Sequence, residues 1–117
     1  MNVVSIDNEA DFTIQVLHKP GLVIVDFWAS WCEPCKMIRS EIKRAAQTFD
    51  KYVDVVKVDV DRFHSLAEQY EVMAVPTLLF FDNGKPIKRI IGYATQHEIE
   101  RLLHTLLPQT VDLDNNI

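Results

Sequence analysis

The run LVIVDFWASWCEPCKMI, Leu22 to Ile38, decides how this chain is read. Its first half, Leu22–Ala29, is almost continuously apolar. That is the mark of a central strand covered on both faces. Its second half opens a helix from about Pro34, a residue that fits a helix start because its missing N–H costs nothing there. Between them stand Cys32 and Cys35, the chain's only two cysteines, separated by Glu33 and Pro34. A spacing of three at a helix start puts both sulfurs on one face of the first turn. The free N–H groups and the helix dipole there favour a thiolate, the attacking species in disulfide exchange. A second thiol one turn away can then resolve the mixed disulfide.

Outward from this run, short β-branched stretches alternate with helical patterns. Val3–Ile6 reads as a strand. Asp7 to Leu17 reads as a helix, with Asp7 or Asn8 as N-cap and Phe12 and Val16 on one face. Pro20-Gly21 ends it. The helix from Pro34 to Phe49 carries Met37, Ile38, Ile42, Ala45 and Phe49 as its expected inner stripe. Val53–Val60 is a second buried strand, and Arg62 to Tyr70 a short helix. Thr77–Tyr93 is a hairpin turning at Asn83-Gly84, a pair that favours type I′ geometry. Thr95 to Leu107 is an amphipathic helix with Ile99, Leu102, Leu103 and Leu106 inward and a Thr95/Glu98 capping box. The order β-α-β-α-β-α-β-β-α predicts an α/β fold, a mixed central sheet with helices on both faces. One domain over residues 1–107 is expected, followed by a tail over 108–117.

With 117 residues, 48% of them hydrophobic and 25% charged, the chain can build a single core. Its net charge of −5 comes without a basic run or aromatic-basic patch, so nucleic acid is not an expected partner. No apolar run reaches a membrane span, and the N-terminus lacks the pattern of a secretory signal. A reducing cytosol is therefore the expected setting. There a close cysteine pair is catalytic or metal-binding more often than structural. A metal would need two further ligands at suitable spacing. His18, His64, His97 and His104 all lie away from the pair in sequence, so no metal is expected.

Asp26 interrupts the apolar strand, where a carboxylate is costly unless paired or protonated. Lys57 interrupts the neighbouring strand in the same way. The two could pair beneath the helix, as a structural ion pair or as part of a proton relay for Cys35. Val75-Pro76 stands just before a strand, where a cis bond is possible.

WCEPCK after VDFWA, followed by VKVD, VPTLLFF, NGK and IIGY, resembles the thioredoxin family in order and spacing over residues 5 to 107. The resemblance implies the thioredoxin fold. It implies Cys32 as nucleophile, whose place at the extreme helix N-terminus also predicts exposure, with Cys35 as resolving thiol, Asp26 as buried proton acceptor and Lys57 as its partner. It further implies that Pro76 is a cis-proline facing the cysteines and that Val75 binds an extended substrate through its backbone. Trp28 would pack beneath the site, Trp31 would flank it and Gly92 would leave a flat floor. The chain departs from the family's habit at Glu33, usually glycine, and at Ser40, usually a helix-kinking proline. Glu71 and Ala74 also replace residues that are often small. Glu33 is expected beside the Cys32 sulfur, tuning the site with Pro34 without changing the reaction.

The implied activity is protein disulfide reduction by a monomer. It needs no resident cofactor and is recycled by a thioredoxin reductase, a flavoprotein drawing on NADPH. A non-catalytic scaffold of the same fold would need only the surface around Trp31, Val75 and Gly92, and would not require both cysteines, Asp26 and Pro76 together. Oxidases and isomerases of this fold usually carry histidine where Pro34 stands.

Overall fold

A computed structural model of the protein describes residues 2–107. Five strands form one sheet in the order β1-β3-β2-β4-β5. They are β1 (Val3–Ser5), β2 (Leu22–Trp28), β3 (Val53–Asp59), β4 (Thr77–Asp82) and β5 (Lys85–Ile91). The first three run parallel, while β4 and β5 pair antiparallel. This is the expected mixed sheet. The tail over 108–117 lies outside the described residues.

β2 occupies the centre, and Leu22 through Phe27 are all buried. Its alternate residues feed two cores, as a pleated strand must. Leu22 and Ile24 join one, beneath α2 (Glu33–Thr48) and α4 (Gln96–Leu106). Val23, Val25 and Phe27 join the other, with Phe12, Val16, Phe63 and Phe81. That second layer is covered by α1 (Glu9–Phe12) and α3 (His64–Gln69).

Asn8 caps α1 by accepting the Asp11 N–H at 2.9 Å. The helix then widens into a π-helical turn over Thr13–Leu17, which the periodicity did not suggest. α3 is shorter than expected at both ends. The stripe on α2 also differs from expectation in one member. Cys35, Ile38, Ile42, Ala45 and Ala46 are buried, whereas Met37 is 60% exposed. At about 100° per residue, Met37 falls outside the arc that Cys35, Ile38, Ile42, Ala45 and Ala46 share. α2 passes unbroken through Ser40, where a proline would remove a helical hydrogen bond.

On α4, Ile99 and Leu103 are buried, and Leu102 and Leu106 pack half-buried against the same core. Its capping box is complete: Thr95 accepts the Glu98 N–H, and Glu98 accepts the Thr95 N–H. The hairpin turns at Asn83 (φ 50°) and Gly84 (φ 83°), with Asp82 opposite Lys85. Positive φ at both positions is what a type I′ turn demands. A Cβ on Gly84 would overlap the Leu17 carbonyl, so the turn is also a packing contact.

Candidate active site

The loop leaving β2 and the first turn of α2 carry the cysteines. Cys32 is the N-cap of α2 in extended conformation, and its Sγ accepts the Cys35 N–H at 3.1 Å. The two sulfurs are joined in a disulfide, with Cα atoms 5.3 Å apart. One of the helix's four free N–H donors is therefore spent on the N-terminal sulfur itself.

Cys32 is 4% exposed and Cys35 is 2% exposed. The expectation of an exposed Cys32 does not hold in this joined state. Its sulfur folds back toward Cys35 and packs with Ala29, Trp28, Val60 and Val75. The Val75 carbonyl oxygen lies 3.6 Å from the Cys32 Sγ. The Val75-Pro76 bond is cis. Among the described residues, the Val75 N–H and C=O pair with no other backbone group. Gly92 sits at φ 89°, donates its N–H to the Pro76 carbonyl at 2.8 Å, and leaves open space where a Cβ would project. Trp31 is 67% exposed and its Nε1–H donates to Asp61 at 3.0 Å, which fixes the ring beside the pair. Asp61 was not a candidate from sequence, since an aspartate after a strand looks like an ordinary solvated turn.

Behind the pair, Asp26 is 2% exposed and its Oδ1 has no hydrogen-bond partner. Burial pushes its carboxyl up from 3.8 to about 6, against the opposing pull of Lys57 and Arg39. Asp26 and Lys57 are direct register partners on β2 and β3, as expected of neighbouring strands. They do not close an ion pair: among the described residues no contact within 4 Å joins them. Instead the Lys57 ammonium lies over the Trp28 ring, 5.1 Å from its centroid. A strongly hydrated ammonium on a flexible stem reaches a partly wet aromatic face more cheaply than a dry strand interior. Burial first and the Arg39 guanidinium second push Lys57 below its ordinary value, while Asp26 works the other way. Arg39 escaped the sequence reading because a cation on a helix surface ordinarily signals only solvation. Trp28 is half-buried beneath the cysteines, and its Nε1 is buried without a partner.

Glu33 stands in the first turn of α2. It is exposed, and its carboxylate pairs with the Lys36 ammonium at 3.0 Å, one helical turn on. An i,i+3 pair of opposite charge on a helix surface lends the turn modest support and offsets part of the carboxylate's charge. No group of three or more His, Cys, Asp or Glu among the described residues could hold a metal ion. None of the described helices is long and apolar enough to cross a membrane.

A joined cysteine pair at a helix start, with a buried acid on the neighbouring strand and an unpaired backbone edge at Val75, forms a two-electron dithiol–disulfide couple. The thioredoxin family model matches residues 3–105. Thioredoxins of Staphylococcus aureus strains Mu50, MW2 and N315 are each 39% identical to the chain over 95 residues, covering 81% of it and 89% of their own length.

Proposed function

Because the chain belongs to the thioredoxin family and is a thiol–disulfide oxidoreductase with a Cys-x-x-Cys redox pair, we propose that it works as a protein disulfide reductase. The observation that carries this reading is the joined Cys32–Cys35 pair at the start of α2, with a buried acid behind it. In the reduced protein, the Cys32 thiolate attacks one sulfur of a client disulfide. The client's S–S bond breaks and one client thiolate leaves. Cys35 then attacks Cys32 Sγ, the mixed disulfide breaks, and the second client thiolate leaves. Two electrons pass to the client, and the pair returns to the joined form. Asp26 accepts the Cys35 proton in the second step, when a buried thiol most needs a base. Lys57 and Arg39 hold Asp26 acidic enough to give that proton up again.

The client lies as an extended segment against the Val75 backbone beside cis-Pro76, adding a short strand. Trp31 and Gly92 border that segment, one as an apolar wall and the other as a floor without a side chain. Trp28 supports the pair from below, and Pro34 fixes the first turn of α2. A thioredoxin reductase returns the pair to its dithiol form, in a reducing cytosol, with the protein acting as a monomer.

The test is insulin reduction driven by dithiothreitol. The native protein should accelerate precipitation of the freed insulin chains, and Cys32→Ser should abolish the acceleration. Equal rates with and without the native protein would reject the reading and favour a scaffold.

A further inference from the structure

On the side of the sheet away from the client edge, α2 and strands β1 to β3 enclose a hollow of about 270 Å³. Val3, Ile42 and Val55 form its apolar wall. Arg39, Lys43 and Lys57 bring three cations to it, and Asp26 forms its floor. Among the described residues, none of the three cations closes an ion pair within 4 Å. This concentration of unpaired positive charge occurs in a chain whose net charge is −5. Arg39 and Lys43 are spaced i,i+4, so they project together from one face of α2. Arg39 and Lys43 are exposed and solvated at the mouth of the hollow, while Lys57 is half-buried deeper in, so an anion entering it would meet positive charge along its whole path. The one carboxylate present, Asp26, is too deeply set to close an ion pair with any of them.

We propose that this hollow is a binding site for a small organic anion, with its apolar body against Val3, Ile42 and Val55 and its anionic head among Arg39, Lys43 and Lys57. An occupant slows release of the client from the mixed disulfide by holding a proton on Asp26. The binding stands independently, whereas its effect on turnover rests on the proposed role of Asp26 as proton acceptor.

The charged groups facing the head are few. β2 offers Asp26, and β3 offers Lys57 with Asp59 two residues further on the same face. α2 offers Arg39 and Lys43, with Lys36 one turn away but paired to Glu33. β1 offers only Val3 and Ser5. Asp26 is therefore the nearest negative charge to a bound anion, and the two repel. Binding must favour protonated Asp26 and must strengthen as pH falls through about 6. A protonated Asp26 could also donate a hydrogen bond to the head from its unpartnered carboxyl.

The experiment titrates the oxidised protein with benzenesulfonate, whose charge is fixed, and follows backbone amide signals by NMR. Inorganic sulfate supplies the head alone, and benzenesulfonamide the body without charge. Benzenesulfonate should move the signals of Val3, Ile42, Val55 and Lys57. It should bind about tenfold more tightly than either control, and more tightly near pH 5 than near pH 7.5. Arg39→Gln and Lys43→Gln should each weaken it several-fold, to a combined loss of about tenfold or more. Equal binding of the sulfonamide, or indifference to both substitutions, would reduce the hollow to an apolar cavity and overturn the site. Absence of any shift at millimolar probe would overturn it as well. In the insulin assay the probe should slow the native protein several-fold and leave the residual rate of Asp26→Asn unchanged. Binding without this slowing overturns the regulatory half alone. A native protein inactive toward insulin would instead reject the reductase reading, with the NMR result still deciding the site.

Discussion

Replacing Asp26 with asparagine isolates the electrostatic cost that the fold tolerates at its centre. In the folded protein the carboxyl is pushed up from 3.8 to about 6, with burial as the main cause. At about 1.36 kcal/mol per tenfold, that difference amounts to about 3 kcal/mol against the charged form. The native state binds the proton more tightly than the unfolded chain. Stability contributed by this group is therefore fullest below pH 3.8, falls as pH rises, and is lost above about pH 6. Asparagine has no charge to bury, although its unpaired amide returns about 1 kcal/mol of cost. Asp26→Asn should thus be stabilised by about 2 kcal/mol near neutrality and by little or nothing near pH 4. Urea unfolding of the oxidised protein reads this directly. With a slope of roughly 1–3 kcal/mol per molar, the midpoint should rise by about 1 M at neutral pH, and the gap should close on acidification. The same variant should turn over at least about tenfold more slowly at neutral pH, because the second step has lost its base. A stability difference that stays constant from pH 4 to pH 8 would refute the buried-acid reasoning. An unchanged turnover would leave Asp26 purely structural.

Cys35→Ser should trap a client as a mixed disulfide through Cys32, visible by mass spectrometry, whereas Cys32→Ser should trap none; the reverse pattern would exchange the roles of the two thiols. Glu33→Gly should shift the reduction potential by no more than about 20 mV, because the Lys36 ammonium already offsets the carboxylate. A much larger shift would mean that Glu33 acts on the sulfur despite that partner. Glu71 holds a left-handed backbone at φ 56°, where a side chain crowds its own carbonyl. Glu71→Gly should therefore stabilise the fold by about 0.5–1 kcal/mol in urea unfolding, the relieved strain exceeding the added freedom of the unfolded chain.

Much of this architecture was legible because local and global signals agree. Leu22–Ala29 could only be a doubly covered strand, Asn83-Gly84 could only turn tightly, and Thr95 with Glu98 announced a helix start. The cysteine spacing left a redox or a metal-binding pair open, and the resemblance to the thioredoxin family pointed to redox. The failures are equally local. Met37 reads as core because it is apolar and stands next to Ile38, yet the helical turn swings it to solvent. Cys32 was expected to be exposed because it begins a helix, but a disulfide to Cys35 folds its sulfur inward. The pairing of Asp26 with Lys57 was right in register and wrong in contact, since strand alignment sets Cα positions and not the end of a long lysine. Arg39 and Lys43 were invisible as a group. Their meaning depends on the hollow they border, and a single chain of letters does not display a cavity.

The most direct test of the central claim is the reduction potential of the Cys32–Cys35 couple, equilibrated against glutathione and a thioredoxin of known potential. A value near −270 mV, the approximate reference figure for thioredoxin itself and not one obtained from this structure, is the result a reductase predicts. A value near −120 mV, at the strongly oxidising end of this chemistry, would mean that the pair donates disulfides instead of removing them and would contradict the account.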